Sequence, residues 1–465
     1  MNTNERSLAL DALRGIAIIL MVFSSRIPFG VLPDWMYHAQ VPPPAHVFNP
    51  AIPGITWVDL VFPFFLFSMG AAMPLALQAK LARGDTYASI AWWIVKRGAL
   101  LLFFAIYVKH IQPHVMAASP GISEWLFALA GFALLFPMLS TLPRHWSRNA
   151  HIATRVIGWA GAIALLYFFR AKDGSGFAVT RSDIIILVLA NVAVTGSFIW
   201  LFTRHKLDWR IGILAFLLAL RLTQSLPGWG QWTWNLVPKD WAWIGTVYFQ
   251  QYLFIIIPGT IAGDMLLRHR SMADGKVQAN FVITAWIGVA MCVLMLVGMK
   301  ARLVIETTLA AMTLSAIAWW QLRNAQDNTA KLLRALFGWG IFWLMLGLAF
   351  EPFEGGIKKD KATISYYFVT SGLAFMLLVS LMVIIDLGRI RRGFGLLIAT
   401  GQNPLVAYAG VQSLVPPVLG ITGIAGVIEK FTATPWLGAV RGGFYTWLVA
   451  AAGAFLARRG ILLKT

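Results

Sequence analysis

The sequence predicts an all-α polytopic membrane protein, a bundle of about 12–14 transmembrane helices with both termini cytoplasmic. Three observations predict it. Of the 465 residues, 58% are hydrophobic and 12% are charged, where a soluble domain carries about 25% charged residues. The apolar residues gather into runs close to the ~20 residues that cross a bilayer core. The 38 lysines and arginines, finally, fall mostly into one alternate set of short loops, which should be the cytoplasmic set by the positive-inside rule. The formal charge of +19 would suggest nucleic acid in a soluble chain. Here the loops account for it, and no nucleic-acid partner is expected.

Taken in order, the first span is 8–25, within RSLALDALRGIAIILMVFSS. It carries acidic and basic residues and no small-residue cleavage site, so it reads as a retained helix and not a signal peptide. Asp11 and Arg14 are three apart and share a helical face. Arg14 either snorkels to the cytoplasmic interface or meets an anionic cofactor entering from that side. The second span, 55–79, holds WVDLVFPFFLFSMG; Asp59 opens it and Pro63 should bend it one turn later. Ionisable groups at such depth cost roughly 2.5–3.5 kcal/mol each and usually serve a site or a pair.

Spans 91–109, 121–142 and 152–169 follow, with Lys96–Arg97 leading into the first of them. Next come 184–202 and the short 211–226, which contains Arg221, then 246–267 and 279–299. Cys292 lies in the last of these and is the single cysteine, so no disulfide or iron–sulfur framework exists. Span 303–321 follows a tight Lys300–Arg302 turn, and 335–352, 365–387, 395–420 and 441–457 complete fourteen. Gly401–Gln402–Asn403–Pro404 interrupts the thirteenth. Asn403 at membrane depth requires hydrogen-bond partners. The whole of 1–465 is read as one integral-membrane domain.

Three outward loops stand out. Arg26–Gly54 is long, stiffened by Pro42, Pro43 and Pro44, and holds His38 and His46. The segment 227–243 reads PGWGQWTWNLVPKDWAW; its tryptophans suit either the membrane interface or the apolar faces of sugars. The third, 351–361, reads EPFEGGIKKDK. Histidine titrates near neutrality and can act as base or nucleophile, or merely sit near the headgroups. The eight-residue spacing of His38 and His46 is no zinc signature. Two roles fit Asp59: capping the helix start, or orienting a loop histidine as a carboxylate does in a triad. Walker A, GxGxxG, GxSxG and HExxH motifs are absent from the sequence.

RSLALDALRGIAIILMVF and ITWVDLVFPFFLFSMGAAM resemble the first two helices of the heparan-alpha-glucosaminide N-acetyltransferase family and its bacterial relatives. KRGALLLF, PGISEWLFALAG, IPGTIAGDMLLR, SYYFVTSGLAFMLL with the later Asp386, and GQNPLVAYAG follow in that family's order. Residues 1–142 are the most family-like part, while 143–240 and 300–340 read as additional helices. The resemblance implies transfer of acetyl from cytoplasmic acetyl-CoA to a sugar amine across the membrane, with a histidine before the DLVFP helix as acetyl carrier or base. Tyr37–His38–Ala39 fits the family's local pattern there, and His46 fits its distance to Asp59. Ser25 stands where the family has an asparagine, and Glu124–Trp125 stand where it has an arginine.

The expectation is a membrane acyltransferase acting on an exported or periplasmic saccharide, with His38, His46 and Asp59 as catalytic candidates. Arg14, Arg97 and Asn403 are the candidates for contact with acetyl-CoA, the acyl donor; no metal is expected. A transporter or lipid-linked glycan flippase is the alternative, and a non-catalytic member of an envelope-assembly machine a third. Membrane lipid, the saccharide acceptor and a second copy of the chain are the expected partners. The short N-terminus without an organellar addition points to a bacterial inner membrane.

Overall fold

The computed structural model describes residues 7–30, 32–143, 145–268, 277–324 and 326–464. Of the basic loop residues, Arg6, Arg144, Arg270 and Lys276 lie outside them. Helix accounts for 73% of the structure, so the predicted class holds. The longer helices are α1 (Leu8–Ser24), α2 (Trp57–Leu81), α3 (Tyr87–His110), α4 (Ile122–Leu139), α5 (Arg148–Phe168) and α6 (Ile184–Thr203). They continue as α7 (Leu207–Leu222), α8 (Leu253–Arg268), α9 (Ala279–Lys300), α10 (Val304–Gln321), α11 (Asn328–Ala349) and α12 (Ile364–Leu381). The last are α13 (Gly395–Gln402), α14 (Pro404–Ser413), α15 (Val415–Ile421), α16 (Ile424–Phe431) and α17 (Pro435–Arg458).

Every span read from the sequence coincides with helix, but fewer are long and apolar enough to cross a membrane alone. Among the described residues ten segments qualify. α1 has 17 residues, and α7 and α8 have 16 each. At 1.5 Å per residue a 16-residue helix covers only ~24 Å of a ~30 Å core. α8 is prolonged by a 3-10 stretch over Val247–Tyr252. α10 is diluted by Glu306, three threonines and its terminal Gln321. The thirteenth span is a correction: 395–420 is not one helix but α13, α14 and α15. Pro404 occupies the first turn of α14 and Pro416–Pro417 that of α15, where a missing N–H is tolerated and a continuous ladder is not.

The chain folds as two compact units. The first comprises 1–86, 196–216 and 252–401. Its centre is α12, in which every residue from Ile364 to Met376 is buried; a helix apolar all round belongs inside a bundle. α2 crosses α8 at Gly70 and Gly259, where the backbones are so close that a Cβ on Gly70 would strike the Ile256 carbonyl. Small residues permit this approach in membrane helices. Below α12 the helix widens into a π-turn over Met382–Leu387, whose Asp386 accepts from Ser7 Oγ and the Ala9 N–H at the start of α1.

The second unit comprises 87–195, 217–251 and 402–465. α4 packs on α5 and α15, and α14 on α17. Its C-terminal tail returns to α4: the Thr141 N–H donates to Leu462 and the Lys464 N–H to Leu139, both at 2.9 Å.

Candidate functional site

The end of α2 that begins at Trp57 lies against two loops, 26–56 and 351–363, both in the first unit. Polar contacts hold them together. Lys300 Nζ meets Asp34 at 3.1 Å and Arg302 meets Glu351 at 2.6 Å. The Gly54 N–H donates to the Ile357 carbonyl at 2.7 Å. Within the first loop the buried Gln40 amide donates to Ile52 and Gly54 carbonyls. The Tyr37 hydroxyl donates toward the Pro28 and Gly30 carbonyls. The proline-rich stretch is therefore an ordered wall and not a tether.

Asp59 lies at the bottom, fully buried. It is the third residue of α2 and completes a capping box: Oδ2 accepts from the Thr56 N–H at 2.8 Å. The same oxygen accepts from the Ala39 N–H at 3.3 Å, which ties the loop to the helix start. The capping role read for this residue is thus taken by Oδ2, and Oδ1 is left facing the loop. That oxygen makes no hydrogen bond. It faces His38 Nε2 at 3.5 Å and Lys359 Nζ at 3.8 Å. The Tyr366 hydroxyl donates to the Asp59 carbonyl at 2.7 Å and fixes the position from α12.

His38 has a defined tautomer in this setting. The Gln40 N–H donates to Nδ1 at 3.0 Å, so Nδ1 carries the lone pair and Nε2 the proton. Nε2–H donates to Asp360 Oδ2 at 2.7 Å and points past it to Asp59. The ring is 16% exposed and Asp59 not at all, so the pair sits at a boundary between solvent and the bundle. Burial opposes ionisation of Asp360, but the His38 hydrogen bond and the charge of Lys359 outweigh it and hold its carboxyl below the ordinary value. The arrangement can stabilise positive charge on the imidazole from two sides. A proton gained at Nδ1 would make an imidazolium whose Nε2–H already faces two carboxylates.

His46 is built differently. Its backbone is left-handed, φ 48°, and its ring packs on Tyr37 at 4.5 Å and Phe29 at 4.8 Å. Nε2 donates to the Gly30 carbonyl at 3.3 Å. No carboxylate is paired with it among the described residues. The structure therefore joins His38 to Asp59 and leaves His46 in an aromatic cage.

The three cofactor candidates have separate surroundings. Arg14 pairs with Asp11 at 3.6 Å and donates to the Gly401 and Ser68 carbonyls, linking α1 to α13 and α2 within the first unit. Arg97, in the second unit, is exposed on α3 with its guanidinium 4.7 Å over the Trp93 ring. Asn403, also in the second unit, is fully buried. Its amide donates to the Ile461 carbonyl and its oxygen accepts from the Leu463 N–H, so it fastens the C-terminal tail.

Sequence reasoning missed Asp360 and the reach of Lys359. The signal was present as the charged EGGIKKDK loop on the same side as the histidines, but nothing in a one-dimensional reading brings residue 360 to residue 38. Gln40 and Thr56 were likewise unremarkable until their backbone contacts fixed the tautomer and the cap.

A family model described as a domain of unknown function, DUF5009, matches residues 6–266, more than half of the chain. Among curated proteins, heparan-alpha-glucosaminide N-acetyltransferase of Homo sapiens is 35% identical over 150 residues, covering 30% of this chain and 20% of that protein. The protein of the same name from Mus musculus is 30% identical over 104 residues, covering 22% and 14%. The chain thus matches a fifth or less of the length of these relatives. The similarity agrees with the resemblance carried by the helix motifs.

Proposed function

We propose that the chain, which belongs to the DUF5009 family, is a multi-pass membrane acyltransferase that moves an acetyl group from cytoplasmic acetyl-CoA to a saccharide on the periplasmic side of a bacterial inner membrane. The observation that supports it most is His38, held as its Nε2–H tautomer between Asp360 and the buried Asp59. A histidine flanked by carboxylates at a solvent boundary is suited to proton transfer. The name of the two relatives supplies the reaction class.

In this reading His38 is the general base. The acceptor amine or hydroxyl displaces the Gln40 N–H from Nδ1 and gives its proton there as its heteroatom bonds to the acyl carbon. The C–S bond of the thioester breaks, and the leaving thiolate recovers the proton from Nδ1. Asp59 and Asp360 stabilise the imidazolium in between, and Lys359, 3.8 Å from Asp59 Oδ1, offsets part of the negative charge there. Arg14 already meets Asp11 and two carbonyls, and we assign it to holding α1 in place. The distribution of basic loops supports cytoplasmic termini.

The test is purified protein in nanodiscs with radiolabelled acetyl-CoA, following release of CoA thiol in the presence of a panel of amino sugars. Wild-type and His46→Phe protein should turn over, and His38→Gln should not. Full turnover by His38→Gln would sink the mechanism. Label bound stably to wild-type protein and lost in His38→Gln would replace the base with an acyl-imidazole carrier. Absence of acetyl-CoA binding would transfer the assignment to a transporter or flippase.

A further inference from the structure

Within the first unit, α10 and α11, with Ile211 of α7, line a groove of about 1060 Å³. Three features distinguish it from an ordinary gap between membrane helices. Its mouth is cationic: Lys331 and Arg334 line it, and the Arg334 guanidinium lies 4.6 Å over Trp319 while donating to the Arg323 carbonyl. Lys331 is exposed and has no ion-pair partner among the described residues. The body of the groove is apolar, lined by Met312, Trp339, Phe342 and Met345. Between mouth and body lies Ser315, which is only 5% exposed and whose Oγ has no hydrogen-bond partner. A buried hydroxyl without a partner is costly, and one that lines a cavity asks for a ligand atom.

We propose that this groove binds one anionic phospholipid from the leaflet that faces the start of α11 at Asn328. The phosphate would pair with Lys331 and Arg334, an ester carbonyl would accept from Ser315 Oγ, and the acyl chains would lie against Met312, Phe342 and Met345. The dimensions agree. From Arg334 to Met345 the helix rises about 16 Å, close to half of a ~30 Å hydrocarbon core, so the apolar body matches one leaflet. Ser315 lies one helical turn, roughly 6 Å, from Trp319, which places it below the charged mouth where a glycerol ester follows its phosphate. Tryptophan and cationic side chains at the mouth are the usual anchors at headgroup level. A free phosphate would satisfy the mouth but not the body. The inference does not depend on the acyl-transfer reading, because none of these residues belongs to the His38 site.

The experiment is native mass spectrometry of the full chain from detergent micelles containing equimolar palmitoyl-oleoyl phosphatidylglycerol and phosphatidylcholine. Wild-type protein should retain a phosphatidylglycerol adduct in preference to phosphatidylcholine. At about a fivefold contribution per cationic side chain, Lys331→Gln should weaken it roughly fivefold, and Lys331→Gln with Arg334→Gln roughly 25-fold. Ser315→Ala should weaken both lipids severalfold, by removing the donor to the ester. Lys331 is exposed, so its single variant tests the mouth without disturbing packing, and an unchanged melting temperature confirms that. Addition of 10 mM inorganic phosphate, on the order of a hundredfold excess over lipid, should leave the adduct in place. Equal retention of the two lipids, indifference to Lys331→Gln, or displacement by inorganic phosphate would each overturn the proposal.

Discussion

Replacing Asp59 by Asn separates the two jobs of this carboxylate. The amide oxygen can still accept from the Thr56 and Ala39 N–H groups that now meet Oδ2. The cap should therefore survive, and the stability change should stay near 1 kcal/mol, the ordinary scale for a helix cap. The amide nitrogen replaces Oδ1, however, and presents a donor to His38 Nε2–H, which lies 3.5 Å from that oxygen. A unit charge at 3.5 Å from an imidazolium contributes about 4–5 kcal/mol gross at an effective dielectric of 20. Lys359, 3.8 Å from the same oxygen, already offsets part of it, and Asp360 retains the direct hydrogen bond. A loss of about 2.7–4 kcal/mol remains, or roughly 10²–10³ in turnover. The assay is CoA-thiol release by wild type and Asp59→Asn in nanodiscs, with melting temperatures measured on the same preparations. Wild-type turnover in a folded Asp59→Asn protein would refute the role given to the buried carboxylate. A melting temperature that collapses with activity would show that the cap, and not the charge, is what matters.

Further outcomes follow from the same geometry. Asp360 titrates below the ordinary carboxylate value in the folded protein, so its contribution is complete above pH ~3.9 and is lost as pH falls through the lower folded value. The difference in melting temperature between wild type and Asp360→Asn should therefore shrink as pH falls below about 3.9. His46→Phe keeps the ring packing on Tyr37 and Phe29 and should preserve turnover within about threefold, since it forfeits one weak hydrogen bond. Asn403→Ala removes two bonds to the C-terminal tail and should cost roughly 1–3 kcal/mol of stability, while the dissociation constant for CoA, read by competition, stays unchanged. Gly70→Leu forces a side chain onto the Ile256 carbonyl; overpacking on this scale costs about 1–3 kcal/mol or more and should appear as a lower melting temperature in detergent.

The helices were legible because a bilayer makes the code coarse. A run such as ITWVDLVFPFFLFSMGAAM can be satisfied at that depth only by helix, and α2 forms over Trp57–Leu81 as the run demands. The pairing of Asp11 with Arg14 was legible for the same reason, since three residues on a helix fix their separation. What was not legible depends on contacts distant in sequence. Asp360 reaches His38 across 322 residues, and the choice between His38 and His46 rests on a hydrogen bond from Gln40 and a left-handed turn at His46 that no spacing encodes. Asn403 was correctly expected to need partners, but a tail of residues 461–463 supplies them, and that pairing has no periodicity to betray it.

The choice between an acyltransferase and a carrier of glycans turns on how firmly His38 is held. A transport site alternates between two faces, and its groups sit where broken helices can rock. His38 is fixed by Gln40, Asp360 and Asp59, and the loop that bears it is tied to α2 through Ala39 and to the 351–363 loop through Gly54. The ion pairs of Asp34 with Lys300 and of Glu351 with Arg302 brace the same enclosure from α9 and its following turn. Moving His38 by a few ångströms would expose the Asp59 carboxylate, which is fully buried and, among the described residues, has His38 and Lys359 to compensate Oδ1. Leaving such a charge unpaired costs several kcal/mol. A site that resists displacement this strongly suits chemistry that depends on a preorganised proton acceptor and disfavours a route that cargo must pass through. The same reasoning makes Lys359→Met informative: it should impair turnover without opening the enclosure, because it removes one of the two compensating groups and none of the loop contacts.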